Sequence, residues 1–219
     1  MKRKLVCVLG LGLFGSSVAK SLARNGMDVI AMDLSMDHVE EVMDEVDLAI
    51  QGDFTKFDQL EAVGVADVDA AVIAAGERLE VAILGIMNLK KLGVENVIVK
   101  TKNEDYKEVL LKVGASRVIL PEVEIGIRLG NELSSSNIVD FLELDDDYHI
   151  LELEVEEEWI GKSIIELDIR NKYGYNIIAI SPKHLNKYQV SFNPDYKFEK
   201  HDKILVFLEN KSINEKLVM

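Results

Sequence analysis

Short, nearly continuous apolar runs alternate with helix-period stretches through the first 137 residues of this chain, and a different pattern follows. The runs are Lys4–Leu9, Val29–Asp33, Leu48–Gln51, Ala70–Ala75, Asn96–Val99 and Arg117–Leu120. Runs that stay hydrophobic at successive positions suit strands covered on both faces, as in a parallel sheet. Between them lie helical spacings, the first from Phe14 to Asn25, and several end at a glycine where a C-cap is expected: Gly26, Gly64, Gly93 and Gly114. Strand and helix alternating six times predicts an α/β fold, a Rossmann-type doubly wound parallel sheet whose ligands collect at the carboxyl ends of the strands.

Pro121 fits the first turn of a helix running to about Leu133, and Ser134-Ser135-Ser136-Asn137 interrupts that pattern. The expected division is therefore a domain of residues 1–137, crossover helix included, and a domain of residues 138–219. Twelve of the 14 glycines precede residue 137, so the second part differs in texture as well as in period. There Leu151, Leu153 and Val155 alternate with Glu152, Glu154 and Glu156, which predicts a half-buried antiparallel strand. Ile177–Ile180, Tyr188–Ser191 and Ile204–Leu208 read as further strands and Ser163–Ile169 as a short helix capped by Ser163. A small α+β module is expected.

Composition narrows the function classes. With 48% hydrophobic residues the chain can build ordinary cores, yet no apolar run approaches the roughly 20 residues of a membrane span. The basic start, Met1-Lys2-Arg3-Lys4, leads straight into the first strand and not into a signal-peptide core. A single cysteine, Cys7, excludes a disulfide framework and suits a small core residue, so a cytosolic protein is expected. The net charge is −14, divided as −7 in residues 1–137 and −7 in 138–219. No basic module is concealed behind the average, which argues against nucleic acid as a partner.

The chemistry begins at Gly10-Leu11-Gly12-Leu13-Phe14-Gly15, a G-x-G-x-x-G turn between the first strand and the first helix. In that setting the first glycine permits a tight turn, the second lets backbone approach a pyrophosphate, and the third lets helix pack on strand. Asp33, 18 residues beyond Gly15 and followed by Leu34, is placed to accept hydrogen bonds from ribose hydroxyls, and it disfavours a 2′-phosphate. Asp53 and Phe54, after the third strand, are expected near the adenine, or as part of a helix cap. Ala75, Gly76 and Glu77 follow the fourth strand, where small residues allow close approach to a ligand or simple helix packing. Lys100 ends the fifth strand and can balance phosphate charge. Glu122, just past the sixth, can answer the helix dipole or help hold a cation beside phosphates. The four histidines, His38, His149, His184 and His201, lie in polar contexts without metal-ligand spacing and are expected at the surface. A NAD-dependent dehydrogenase is the enzymatic reading of such a turn, but the second part offers no clear acid/base constellation for a substrate.

Gly10–Gly15, Asp33, Gly52-Asp53-Phe54-Thr55, Val99-Lys100 and the segment Val113–Glu122 together resemble the RCK (KTN/TrkA-N) domain of bacterial potassium-uptake regulators. Gly161–Arg170 and Lys172–Ile180 resemble the companion RCK-C (TrkA-C) domain, and order and length are similar to KtrA/KtrC-type subunits of the TrkA family. The resemblance implies a regulator and not an enzyme: homodimers assembling into an octameric ring, cytoplasmic and held at the inner face of the membrane by a KtrB/TrkH-like potassium-translocating subunit. It implies ATP or ADP in the crevice bound by the residues above, with Glu122 near the phosphates beside magnesium or another cation. It further implies cyclic di-AMP at Ile164, Ile165, Asp168, Ile169, Arg170, Asn176 and Ile177. Leu13 stands where KtrA-like turns usually carry arginine, which leaves NAD or NADH open as the nucleotide and makes Arg78 and Lys100 the candidates to supply positive charge.

Overall fold

The computed structural model describes residues 3–74, 78–134, 138–144, 147–185 and 187–209. The chain forms two compact units, Met1–Val123 and Glu124–Met219. Part of the boundary expected from sequence, residues 135–137, lies outside the described residues.

The first unit is built from β1 (Leu5–Leu9), α1 (Leu13–Arg24), β2 (Asp28–Asp33), α2 (Met36–Glu40), β3 (Leu48–Gln51) and α3 (Phe57–Ala62). It continues through β4 (Ala70–Ile73), α4 (Leu79–Lys91), β5 (Val97–Lys100), α5 (Asp105–Val113), β6 (Arg117–Ile119) and the start of α6 (Pro121–Ser134). The six strands are parallel in the order β3-β2-β1-β4-β5-β6, which reverses direction between β1 and β4. A crevice opens at such a switch point. The sheet is covered on both sides. One apolar cluster includes Leu9, Met32, Phe54, Ile73, Ile86 and Val99, and the other Val8, Leu11, Ala19, Val29 and Val42. Strands buried on both faces have no polar side to display, which is why these runs do not alternate. Cys7 is fully buried in the first cluster, and burial pushes its thiol up to about 12. The four glycines expected to end helices all have positive φ, from 78° at Gly26 to 124° at Gly114.

The second unit contains β7 (Ile138–Glu143), β8 (Tyr148–Glu154), α7 (Ile164–Leu167), α8 (Ile169–Tyr173), β9 (Asn176–Ser181) and β10 (Lys203–Glu209). Its sheet is antiparallel in the order β7-β8-β10-β9. Leu151, Leu153, Ile204, Val206 and Leu208 point to one face and bury Trp159, Leu167, Ile169 and Phe198. Trp159 donates its indole N–H to the Tyr173 hydroxyl at 3.2 Å and meets that ring edge-on, with centroids 5.0 Å apart. Asp202, almost fully buried, accepts from the Tyr196 hydroxyl at 2.8 Å and from the backbone N–H groups of Lys183 and Glu199.

Several expectations change here. The helix expected over Ser163–Ile169 is two short helices, because Asp168 adopts a left-handed conformation (φ 49°) between them. Ser163 does cap the first, in a capping box with Glu166. No strand forms over Tyr188–Ser191, where Gln189 alone pairs with Ile180 as an isolated bridge. The strand β7 was not anticipated; it is defined by pairing with β8 and not by an alternating pattern of its own. His149 is buried at 4% exposure, not superficial, because β8 starts earlier than its alternation suggests and carries it between neighbouring strands.

Candidate nucleotide site

The strand register aligns the candidate positions along one edge. Met32, Leu9, Ile73 and Val99 are consecutive partners across β2, β1, β4 and β5. The next residues on those strands, Asp33, Gly10, Ala74 and Lys100, therefore line the carboxyl edge of the sheet around the switch point. Adjacent strands lie about 4.8 Å apart, so Lys100 starts about 10 Å from Gly10.

The glycine turn has distinct reasons for its three glycines. Gly10 has φ 91°, a left-handed value that suits a residue without Cβ. Gly15 is held under the turn, where an added Cβ would stand 1.9 Å from the Gly10 carbonyl oxygen. Gly12 is different: its φ of −61° is ordinary, and an added Cβ would meet nothing within 4 Å. The chain itself makes no demand for glycine there. Helix α1 begins at this point with no side-chain cap and no acid in its first turn. A helix start left uncapped in this way keeps donors for an anion.

Asp33 is held in place by backbone donors. Its Oδ2 accepts from the Leu11 N–H at 2.6 Å and its Oδ1 from the Ser35 N–H at 2.8 Å. A carboxylate has about four acceptor positions, so two stay available for hydroxyl donors after the backbone is satisfied. His38 Nδ1 lies 3.3 Å from Oδ1, near enough for electrostatic contact but without hydrogen-bond geometry. Sequence reasoning assigned His38 to the surface; its position five residues past Asp33, on α2, was the available signal.

The loop after β3 is braced from several sides. Asp53 Oδ1 accepts from the Thr55 hydroxyl at 2.6 Å and the Thr55 N–H at 2.9 Å, and these bonds hold its carboxyl below the usual range, helped by Lys56 and Arg78. Gln59 Oε1 accepts from the Asp53 N–H at 2.7 Å, and Asn88 on α4 donates to the carbonyls of Phe54 and Thr55. Neither Gln59 nor Asn88 was foreseen, since nothing in a polar residue within a helix marks it as a brace. The Phe54 side chain is core, 5% exposed, so it does not present its ring to the crevice as a nucleotide contact would need. Leu11 is fully buried in the cluster on the other face of the sheet and Phe14 packs against it, whereas Leu13 is 90% exposed and Leu34 is also exposed. Ala75, Gly76 and Glu77 lie outside the described residues. Arg78, exposed at the start of α4, has Glu80 3.7 Å away.

Lys100 and Glu122 are brought together. The lysine is 7% exposed and its ammonium donates to Glu122 Oε1 at 2.7 Å, while the glutamate side chain remains half exposed. That bond is the main reason the Glu122 carboxyl is lowered. Among the described residues no cluster of three or more His, Cys, Asp or Glu side chains could hold a metal ion. A cation beside Glu122 would therefore need oxygens from elsewhere, such as phosphate.

In the second unit, Ile165 is 63% exposed and Asp168, Arg170 and Asn176 are exposed, whereas Ile169 is 1% exposed and belongs to the core. Ile164 and Ile177 are partly buried against that core. Of the four isoleucines in that set, only Ile165, with the flanks of Ile164 and Ile177, offers apolar surface. Asn171 donates to Asp168 Oδ1 at 2.7 Å, which steadies the left-handed turn.

Residues 6–121 match the TrkA-N domain family and residues 148–216 the TrkA-C domain family. The chain is 36% identical to Ktr system potassium uptake protein C of Bacillus subtilis over 178 residues, 81% of this chain and 80% of that protein. It is 32% identical to Ktr system potassium uptake protein A of the same organism over 213 residues, 97% of this chain and 95% of that one. Among solved structures, the GsuK channel covers 99% of this chain with a TM-score of 0.71 at 16% identity, and the GsuK channel bound to NAD covers 96% with a TM-score of 0.66. This chain spans less than half of those structures, 40% and 38%, and the likeness is one of fold.

Proposed function

This chain belongs to the family of Ktr potassium uptake proteins, with a TrkA-N domain followed by a TrkA-C domain, and we propose that it is a nucleotide-sensing regulatory subunit and not an enzyme. An adenine nucleotide occupies the crevice between β1 and β4: ribose on Asp33, phosphates over Gly12 and the start of α1, adenine toward the Asp53 loop. The observation that carries this reading is Gly12. A glycine with ordinary φ and open space above it is explained by a ligand that must come close, and Asp33 beside it has free acceptor positions.

ATP and ADP are the proposed physiological pair, since a sensor needs two ligands that favour different states. The exposed apolar Leu13 supports NAD(H) as a second reading, because the turn itself offers no positive side chain to a terminal phosphate. Cyclic di-AMP is proposed for the TrkA-C domain, with Ile165 against an adenine and Arg170 on a phosphate, beside Asp168, Asn176, Ile164 and Ile177. Arg170 is exposed and free to fork onto an anion.

Regulation implies a partner, and we propose a cytoplasmic location against a membrane potassium-translocating subunit. No helix among the described residues is long and apolar enough to cross a membrane. Helix α6 exposes Ile125, Ile127, Leu129 and Leu133, each more than half accessible, which supports a dimer that assembles further into an octameric ring. Calorimetry with ATP, ADP, NAD and NADH, together with light scattering, tests the reading. Micromolar binding of one pair and a ring-sized particle are expected; no binding of any of the four would overturn it.

A further inference from the structure

His38 puts a ring nitrogen against the acid that ends β2. Its Nδ1 lies 3.3 Å from Asp33 Oδ1 and, although shut away from water, has no hydrogen-bond partner among the described residues. A neutral ring nitrogen buried without a partner is unfavourable, whereas a protonated one beside a carboxylate gains a counter-charge. Asp33 is not free to follow the ring, because the backbone N–H groups of Leu11 and Ser35 fix its two oxygens. The ring is the part that can move: the His38 side chain is 43% exposed against 14% for Asp33. Helix α2 packs on β2 and β3, and of these β3 (Leu48–Gln51) carries no titratable side chain while β2 presents Asp33 at this end and Asp28 at the other. Asp37 and Glu40 on α2 itself, and Glu41 just beyond it, are exposed. Lys20 and Arg24 on α1 pair with Glu45 and not with this site.

We propose that His38 is a proton-controlled competitor for Asp33: its imidazolium pairs with the carboxylate that ribose hydroxyls need, so the crevice takes its nucleotide less well as pH falls. This rests on the nucleotide reading of the crevice and adds a regulation to it. Histidine ordinarily changes charge between about pH 5 and 8. At the acid end of that range the charged ring is held on Asp33 and covers part of its acceptor surface. A ribose must then displace the ring, and the proton is lost to solvent as the pair opens. At the alkaline end the ring is neutral, gains nothing from the carboxylate and turns outward. Because the free chain holds the proton more tightly than the nucleotide-bound chain, binding releases it and affinity rises with pH. Proton and nucleotide are thus negatively coupled, each weakening the other by the same factor.

The test is calorimetry of NAD and of ATP with the full chain, at about pH 6 and about pH 8, for the wild type and His38→Gln. NAD carries no group that titrates between those values, and the titration of ATP itself cancels when the two proteins are compared at one pH. Relative to His38→Gln, the wild type is expected to lose about three- to fivefold in affinity on going from the higher pH to the lower. Heats measured in two buffers of different ionisation enthalpy should show a fraction of a proton released on binding to the wild type and none with the variant. A wild-type-to-variant ratio that ignores pH would overturn the competition. So would tighter wild-type binding at the lower pH, which would make the imidazolium an aid to the phosphates and not a rival of the ribose. Failure of both nucleotides to bind at either pH would instead sink the crevice reading. Thermal denaturation at both pH values identifies loss of folding. If His38→Gln unfolds, His38→Asn replaces it and is held to the same outcome.

Discussion

Gly15 is pressed against Gly10: a Cβ on Gly15 would stand 1.9 Å from the Gly10 carbonyl oxygen and 3.0 Å from the Ala74 Cβ. Two glycines five residues apart thus fix how closely α1 meets β1. Gly12 lies between them with open space, so the same substitution has opposite consequences at neighbouring positions. Gly15→Ala is expected to lower stability by about 1–3 kcal/mol through overpacking. Gly12→Ala should leave the denaturation midpoint nearly unchanged while weakening nucleotide binding. Urea denaturation and calorimetry on both variants separate the effects; equal loss of stability would refute the division of roles.

Asp33 ties the turn to β2 as well as facing the crevice. Removing it in Asp33→Ala leaves the buried Leu11 N–H without its acceptor, which costs about 1–3 kcal/mol, and takes away the proposed ribose acceptor. Nucleotide affinity should fall by about 100-fold or more, since hydrogen bonds to a charged group contribute about 1.5–3 kcal/mol each. Asp33→Asn keeps one acceptor oxygen and should fall between. Unchanged ATP and NADH affinity in a folded Asp33→Ala protein would remove the ribose assignment.

In the TrkA-C domain, exposure separates the proposed ligand residues from a core residue. Arg170→Ala should weaken cyclic di-AMP binding at least tenfold with folding and ATP binding intact, whereas Ile169→Ala should cost about 2–5 kcal/mol of stability as a large-to-small core change. Ile165→Ala should resemble Arg170→Ala and not Ile169→Ala. Cyclic di-AMP affinity that ignores both Arg170 and Ile165 would place that ligand elsewhere.

Cys7 gives a reporter of unfolding. It is fully buried and its thiol is pushed up to about 12, so almost no thiolate forms at neutral pH. A thiol reagent such as Ellman's should react only as the first unit opens, and nucleotide should slow the reaction by stabilising that unit. Rapid stoichiometric labelling of the native chain would contradict the burial of β1.

The parallel sheet was legible because its information is local. Each strand is a continuous apolar run, most helices carry their own period and several end near a glycine, and the glycine turn with Asp33 marks the candidate nucleotide crevice without reference to distant residues. The second unit was less legible at its edges. Residues Ile138–Glu143 become a strand by pairing with β8, and Tyr188–Ser191 fail to become one because a single bridge to Ile180 is all the pairing they find.

What the sequence determined was the element order, the doubly wound sheet, the glycine turn and its acid. Tertiary structure alone decided which side chains at those positions face outward. Phe54, Leu11 and Ile169 look like site residues in a motif, yet packing takes them into the core, because an apolar group removed from water is stabilised wherever a neighbouring face needs filling. The fold also joined Lys100 to Glu122, 22 residues apart, since a lysine buried at a strand end must find a counter-charge and helix α6 presents one. Spacing along the chain cannot encode that pairing; it follows from β5 and β6 lying side by side.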